Sequence, residues 1–178
     1  AQKIAARNTA ERSWTGYRKF EVERKVGEAN DIASFYLVPH NRRPLPPYRP
    51  GQYLTFRLHL PDRDKPLIRC YSLSDAPEDD HYRITVKRIG SPPDRPEAEP
   101  GLASSYLHDA ITTGDLLDVM APSGQFTIDE NSDRPVVLLA GGIGITPLLS
   151  MLNAVTATGR ARETWFFYGV RDGGEEIM

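Results

Sequence analysis

Residues 136–140 form an unbroken apolar run, Val-Val-Leu-Leu-Ala, that leads straight into Gly141-Gly142-Ile143-Gly144. Few folds accommodate that combination. The run predicts a strand buried on both faces. Just past the glycines, Leu148, Met151, Leu152 and Val155 fall at i, i+3, i+4 and i+7, the spacing of a helix with one apolar face. Thr146 is placed to be its N-cap and Pro147 its first residue, and Gly159 marks its end. Residues 164–170 return to β-branched and aromatic composition. Strand, helix and strand of these lengths predict a βαβ unit with parallel strands and a right-handed crossover. Two strands and a helix bury too little to stand alone, so residues 131–178 are expected to be only the N-terminal part of an α/β parallel-sheet domain.

The preceding stretch has another period. Leu54, Phe56, Leu58 and Leu60 alternate with Thr55, Arg57 and His59 over residues 53–60. Tyr82, Ile84 and Val86 alternate with Arg83, Thr85 and Lys87, and Ala33, Phe35 and Leu37 repeat the device. Shorter strands are expected over 69–73, 116–121 and 125–128, one helix over 102–111, and proline-rich loops over 39–50 and 91–100. Residues 17–130 therefore predict an antiparallel β barrel. Residues 1–16 lack the continuous apolar stretch of a signal peptide and predict a linker helix.

Composition narrows the function classes. Lys+Arg 22 against Asp+Glu 24 leaves a net charge of -2, which argues against nucleic acid or an anionic membrane as partner. One cysteine, Cys70, permits neither an internal disulfide nor a four-cysteine cluster within these residues. With no metal-ligand spacing among its four histidines, the chain is expected to be a metal-free, cytoplasmic protein.

Three stretches carry candidate chemistry. Glycines between a buried strand and a helix let the backbone approach a phosphate at the positive end of the helix dipole. The dinucleotide fingerprint, however, wants a third glycine where Pro147 stands. In Arg69-Cys70-Tyr71-Ser72-Leu73-Ser74, alternation sets Arg69 and Tyr71 on one side, Cys70 and Ser72 on the other; a plain edge strand would look alike. Gly101-Leu102-Ala103-Ser104 opens a helix and is either ordinary capping or a second anion site.

Together with Arg49-Pro50-Gly51-Gln52-Tyr53, Ile84-Thr85-Val86-Lys87-Arg88, Gly114-Asp115 and Ala121-Pro122-Ser123-Gly124-Gln125-Phe126, these stretches resemble, in order and spacing, the ferredoxin–NADP reductase family. Trp14-Thr15-Gly16-Tyr17-Arg18-Lys19-Phe20 looks most like the reductase part of flavohaemoglobins. The resemblance implies that the barrel is six-stranded with Greek-key order and holds FAD, with NADH or NADPH as co-substrate in the following α/β nucleotide-binding domain. It implies that Arg69 pairs with the FAD pyrophosphate, Tyr71 contacts the flavin and ribityl region, and Ser72 lies near flavin N5. It further implies flavin contacts for Cys70 and for the main chain of Val86 and Lys87, with Gly101, Leu102, Ala103 and Ser104 closing over the phosphates. Gly142, Gly144, Ile145 and Thr146 would hold the nicotinamide nucleotide, Thr146 nearest the reacting ring, and Arg171 could meet a 2′-phosphate. Ser72, Tyr71 and Thr146 are thus the implied catalytic residues. Cys70 itself is expected to be a small packed residue without redox function.

The implied activity is an NAD(P)H-dependent flavin reductase passing electrons through FAD to a haem or 2Fe-2S acceptor, on the same parent chain or another protein. The family's later βαβ units and its Cys-Gly-Pro segment are not among these residues, so the isolated chain is expected to hold FAD better than NAD(P)H. A non-catalytic flavin or nucleotide sensor, and a cofactor-free interaction barrel, are the alternatives.

Overall fold

The computed structural model describes residues 13–159 and 161–177. Most of the expected 1–16 helix lies outside these residues. Residues 13–16 are not helical, and the Trp14 indole N–H donates to the Val119 carbonyl at 3.1 Å.

Six strands form the first layer: β1 (Arg18–Ala29), β2 (Ile32–Pro39), β3 (Tyr53–Leu58), β4 (Leu67–Ser72), β5 (Tyr82–Lys87) and β6 (Leu116–Val119). Their order is β4-β3-β6-β1-β2-β5, every pair antiparallel, with β6 returning to lie between β1 and β3 as in a Greek key. A bridge between Leu73 and Ile84 joins the two outer strands and closes the barrel. Register shifts at Val22/Arg24 and Gly27/Ala29 bend the long β1 against β2. Inside, Phe35, Leu54, Phe56, Tyr82 and Ile84, which the alternation placed on the apolar face, are completely buried, as is Phe20. Helix α1 (Leu102–Asp109) lies over the barrel, pinned at its C-terminus by Lys25, whose ammonium donates to the carbonyls of Leu107, His108 and Ile111.

The second layer comprises β7 (Val136–Gly141), a 3₁₀ turn over Gly142–Gly144, α2 (Ile145–Ala157) and β8 (Thr164–Gly169). β7 and β8 pair in parallel from Val136↔Thr164 to Gly141↔Gly169. α2 seats Leu148, Met151 and Val155 against Leu138 and Ile128.

Four local expectations are corrected. β7 is buried on one face only: Val137 and Leu139 are 57% and 70% exposed, beside Trp165 and Phe167 of β8, because α2 covers just one side of this sheet. Residues 125–128 form no strand; Gly124, at φ +116°, turns the chain so that Ser123, not this segment, pairs with Tyr53. β3 stops at Leu58, although Leu60 still packs on the core. The 3₁₀ turn starts the helical path early, making Gly144 the N-cap of α2, with Thr146 and Pro147 inside its first turn.

On the barrel exterior, Asp118 is almost fully buried, with Lys19 at 2.8 Å, Arg57 at 3.1 Å and His59 at 3.4 Å. The first two are its cross-strand partners. Burial pushes its carboxyl up, but hydrogen bonds from Lys19 and Arg57 prevail and hold it below the ordinary value. A depressed folded pKa stabilises above the unfolded value of about 3.9, and that stabilisation is lost as pH falls through the folded value. Asp118→Asn is therefore expected to lower the unfolding temperature at pH 7, with the gap to the unsubstituted protein narrowing below about pH 4. A pH series of thermal melts checks this; a gap independent of pH would rule it out.

Among the described residues no helix is long and apolar enough to cross a membrane.

Candidate functional site

A cleft of about 500 Å³ opens where the barrel meets α2, within the size range of small-molecule sites. Four segments build it. β4 contributes Arg69, Cys70, Tyr71 and Ser72; β5 contributes Thr85, Val86 and Lys87, with Ile89 just beyond. The first turn of α1 supplies Gly101, Leu102, Ala103 and Ser104, and the start of α2 supplies Ile143, Gly144, Thr146 and Pro147.

Arg69 is exposed, and Nη1 donates to the Ile68 carbonyl at 2.8 Å. That bond engages one of the five donors of the guanidinium fork. Tyr71 is half-buried, edge-on to Phe56 with ring centroids 5.6 Å apart. Burial raises its phenol pKa, with Arg69 opposing, so the hydroxyl stays protonated at neutral pH and can donate. Cys70 is not packed as expected: it is exposed in the cleft, its Sγ 3.4 Å from Thr55 Oγ1.

The first turn of α1 is prepared by close packing. Gly101 is the N-cap, without a side-chain cap. A Cβ there would fall 2.7 Å from Ser104 Oγ and 3.0 Å from Ile89 Cβ, so only glycine lets the loop pass. Ser104 Oγ donates to the Gly101 carbonyl at 2.9 Å and accepts from the Ile89 N–H at 3.1 Å. Its side chain thus ties the loop, while the first-turn amides of α1 remain the anion-facing groups. His108 donates from Nε2 to the Val86 carbonyl at 2.9 Å, fixing β5 beneath α1.

On the far wall, Thr146 Oγ1 donates to the Ile143 carbonyl at 3.2 Å and lies 2.9 Å from Ser72 Oγ. With the threonine proton so directed, Ser72 is the donor between them. The two implied catalytic hydroxyls, from opposite halves of the chain, are therefore in direct contact.

Ile145, Gly142 and Arg171 do not line this cleft. The Ile145 side chain is wholly buried with Ile32 and Ile177, so only its main chain is left to meet a nucleotide. Neighbouring helical positions project about 100° apart, so presenting Thr146 to the cleft sends Ile145 into the core. Gly142, at φ +48°, shapes the turn before α2, and Arg171 is an exposed residue beyond β8. Thr85, Ile89, Ile143 and Pro147 line the cleft without having been singled out. The signal for Ile143 and Pro147 was their place in the glycine turn. No metal-binding group of three or more His, Cys, Asp or Glu side chains occurs among the described residues.

Comparison with known proteins follows this geometry. The oxidoreductase FAD-binding domain family matches residues 19–128, and the oxidoreductase NAD-binding domain family matches residues 138–178. A flavohemoprotein of Halalkalibacterium halodurans is 45% identical over 165 residues, covering 93% of this chain and 39% of that protein. Among solved structures, the flavohem-like FAD/NAD-binding domain of nitric oxide dioxygenase from Vibrio cholerae superposes with a TM-score of 0.83 at 34% identity, covering 91% of this chain and 66% of that one. Phthalate dioxygenase reductase, a modular protein for electron transfer from pyridine nucleotides to [2Fe-2S], gives a TM-score of 0.75 at 32% identity, covering 96% of this chain and 48% of that one. The chain spans about two fifths of the length of the flavohemoproteins it matches.

Proposed function

The chain belongs to the oxidoreductase FAD-binding domain family and runs on into an oxidoreductase NAD-binding domain, and from this we propose that it is the flavin-reducing part of an electron-transfer protein. Residues 17–130 hold FAD, residues 131–178 meet NADH or NADPH, and electrons leave to a haem or 2Fe-2S acceptor on the same parent chain, in the cytoplasm. The observation that carries this reading is the Ser72–Thr146 contact at 2.9 Å, which brings the family's flavin-side and nicotinamide-side hydroxyls to one point of one cleft.

The residues present fit FAD. The Arg69 fork and the α1 N-terminus supply a guanidinium and unpaired amides for the pyrophosphate. Tyr71, Cys70 and Ser72 on β4 and the main chain of Val86 and Lys87 on β5 face the same space, with Leu102 and Ile89 excluding water from its rim. Bound there, FAD supplies hydride acceptance and stepwise electron release. The protein's own part is placement. The Gly142–Gly144 turn and Thr146 bring the nicotinamide of NADH or NADPH to the flavin side. Nothing in the site favours the sensor or cofactor-free alternatives.

The test is reconstitution with FAD followed by anaerobic NADH or NADPH: the yellow colour is expected to bleach within seconds, and a colour stable under both nucleotides would end the proposal. Ser72→Ala is expected to keep FAD yet slow bleaching about tenfold, because it removes the hydroxyl that meets Thr146 where the two halves join. An unaltered rate would remove Ser72 from the machinery.

A further inference from the structure

Helix α2 meets the barrel along a polar stripe. Thr146, Ser150 and Asn153 stand at i, i+4 and i+7, hence on one face. Thr146 touches Ser72. Ser150 is fully buried next to Tyr48, its hydroxyl without a hydrogen bond of normal length. Asn153 donates from Nδ2 to Asp75 Oδ1 at 2.8 Å. Polar side chains in a packed seam cost stability unless they fix something.

Asp75 is itself held. Its Oδ1 also accepts from the Ala76 N–H at 2.9 Å, and its Oδ2 lies 3.6 Å from Arg83 Nη1. Arg83 is anchored by Glu28 at 2.7 Å and feeds a closed circuit of buried hydroxyls. Its Nε donates to Ser34 Oγ at 3.2 Å; Ser34 to Thr85 and Thr85 to Ser74 follow at 2.8 Å each; Ser74 donates back to the Arg83 carbonyl at 3.3 Å. Each hydroxyl in the circuit donates once. Thr85 is also a wall of the cleft. One guanidinium thus fixes both the β5 wall of the cleft and the carboxylate that receives α2.

On the basis of the hydride-transfer reading above, we infer that Asn153 and Asp75 are positioning residues: they clamp α2 two turns from its working end and so set how closely Thr146 approaches Ser72. The helix is a rigid lever. Apolar packing of Ile145, Leu148, Met151 and Val155 seats the helix, and the directional bond at Asn153 fixes its tilt against the barrel. Productive transfer requires the reacting rings at about 3–3.5 Å, so a small rotation at the clamp is felt at the chemistry.

The experiment compares Asn153→Asp, which opposes two carboxylates, with Asn153→Gln, which keeps an amide donor for Asp75 and leaves its contacts with the Ala76 N–H and Arg83 in place. Amide hydrogen exchange is read in the FAD-free protein, and flavin reduction at saturating nucleotide in the loaded one. In Asn153→Asp, α2 amides are expected to exchange about tenfold faster or more, with β1–β6 unchanged. Reduction should slow by about tenfold or more with FAD retained, as expected for loss of a hydrogen bond to a charged group. Asn153→Gln should keep both within about threefold of the unsubstituted protein. Unchanged α2 exchange in Asn153→Asp, losses in Asn153→Gln as large as in Asn153→Asp, or a normal reduction rate despite a loosened helix would overturn the inference. If neither nucleotide reduces the unsubstituted protein, the hydride-transfer reading fails, and the exchange data alone decide whether the clamp exists.

Discussion

Gly51→Ala is expected to lower the unfolding midpoint by about 10 °C. Arg49-Pro50-Gly51-Gln52 forms a turn closed by the Gln52 N–H to the Arg49 carbonyl at 3.0 Å, with Gly51 at φ +100° in the third position, where an L side chain is strained. Space is the larger problem. A Cβ at Gly51 would run into the Phe126 carbonyl and the Met151 methyl group, one from the barrel's last loop and one from α2. The methionine can swing aside; the backbone carbonyl cannot. Strain of about 1–3 kcal/mol and an overpacking cost of similar size add to roughly 3–4 kcal/mol. At about 2–4 °C per kcal/mol for a chain of this length, the shift is near 10 °C. Gly16→Ala is the control, since Gly16 has φ +73° but nothing within 4 Å of its Cβ position. It should cost only the conformational part, about 1 kcal/mol. Equal losses in the two variants would show that the close approach at Gly51 carries no weight.

The same junction shows what the sequence could and could not reveal. Period-two alternation found the barrel interior because Leu54, Phe56 and Leu58 on β3 are inside a closed sheet, where one face is dry. It set Thr85 with Arg83 and Lys87, opposite Tyr82, Ile84 and Val86, but did not show that Thr85 is only 3% exposed there. Alternation sorts residues by face but cannot tell when both faces are covered, and the outward face of β5 is closed here by the hydroxyls of Ser34 and Ser74. The βαβ unit was legible from the glycine turn and the i, i+3, i+4, i+7 stripe, down to the arrest at Gly159, which has φ +65°. The solvent side of β7 was not, since five apolar residues in a row look the same whether one face or two is covered. The direction of the Ile145 side chain was not legible for a geometric reason: a motif names neighbours in sequence, whereas a helix turns them about 100° apart. The polar stripe Thr146, Ser150, Asn153 was present in the sequence as hydrophilic breaks at helical spacing, and would have been found by asking which face of α2 was not apolar.

Arg69→Ala is expected to cost more FAD affinity than any other single truncation in the cleft, raising the dissociation constant about a hundredfold to a thousandfold. Two charge-assisted hydrogen bonds of about 1.5–2 kcal/mol each, the low end of their usual range because the guanidinium is exposed, set that figure. The compensating group across the cleft is weak by comparison, because a helix N-terminus contributes about 0.3–1 kcal/mol to an anion at an exposed site. The fold should not notice the change. Arg69 is exposed and its one hydrogen bond goes to the carbonyl of its own neighbour, Ile68, so the FAD-free protein should melt within about 0.5 kcal/mol of the original. That separation makes the experiment decisive: gel filtration should strip the yellow colour from a normally folded protein. Arg69→Lys adds a second reading. It keeps the charge and loses the planar fork, and should recover about tenfold of the lost affinity, with the recovered part weakened by salt. Should Arg69→Ala keep its flavin through the column, the pyrophosphate does not lie at Arg69, and the α1 N-terminus would have to hold it without a guanidinium.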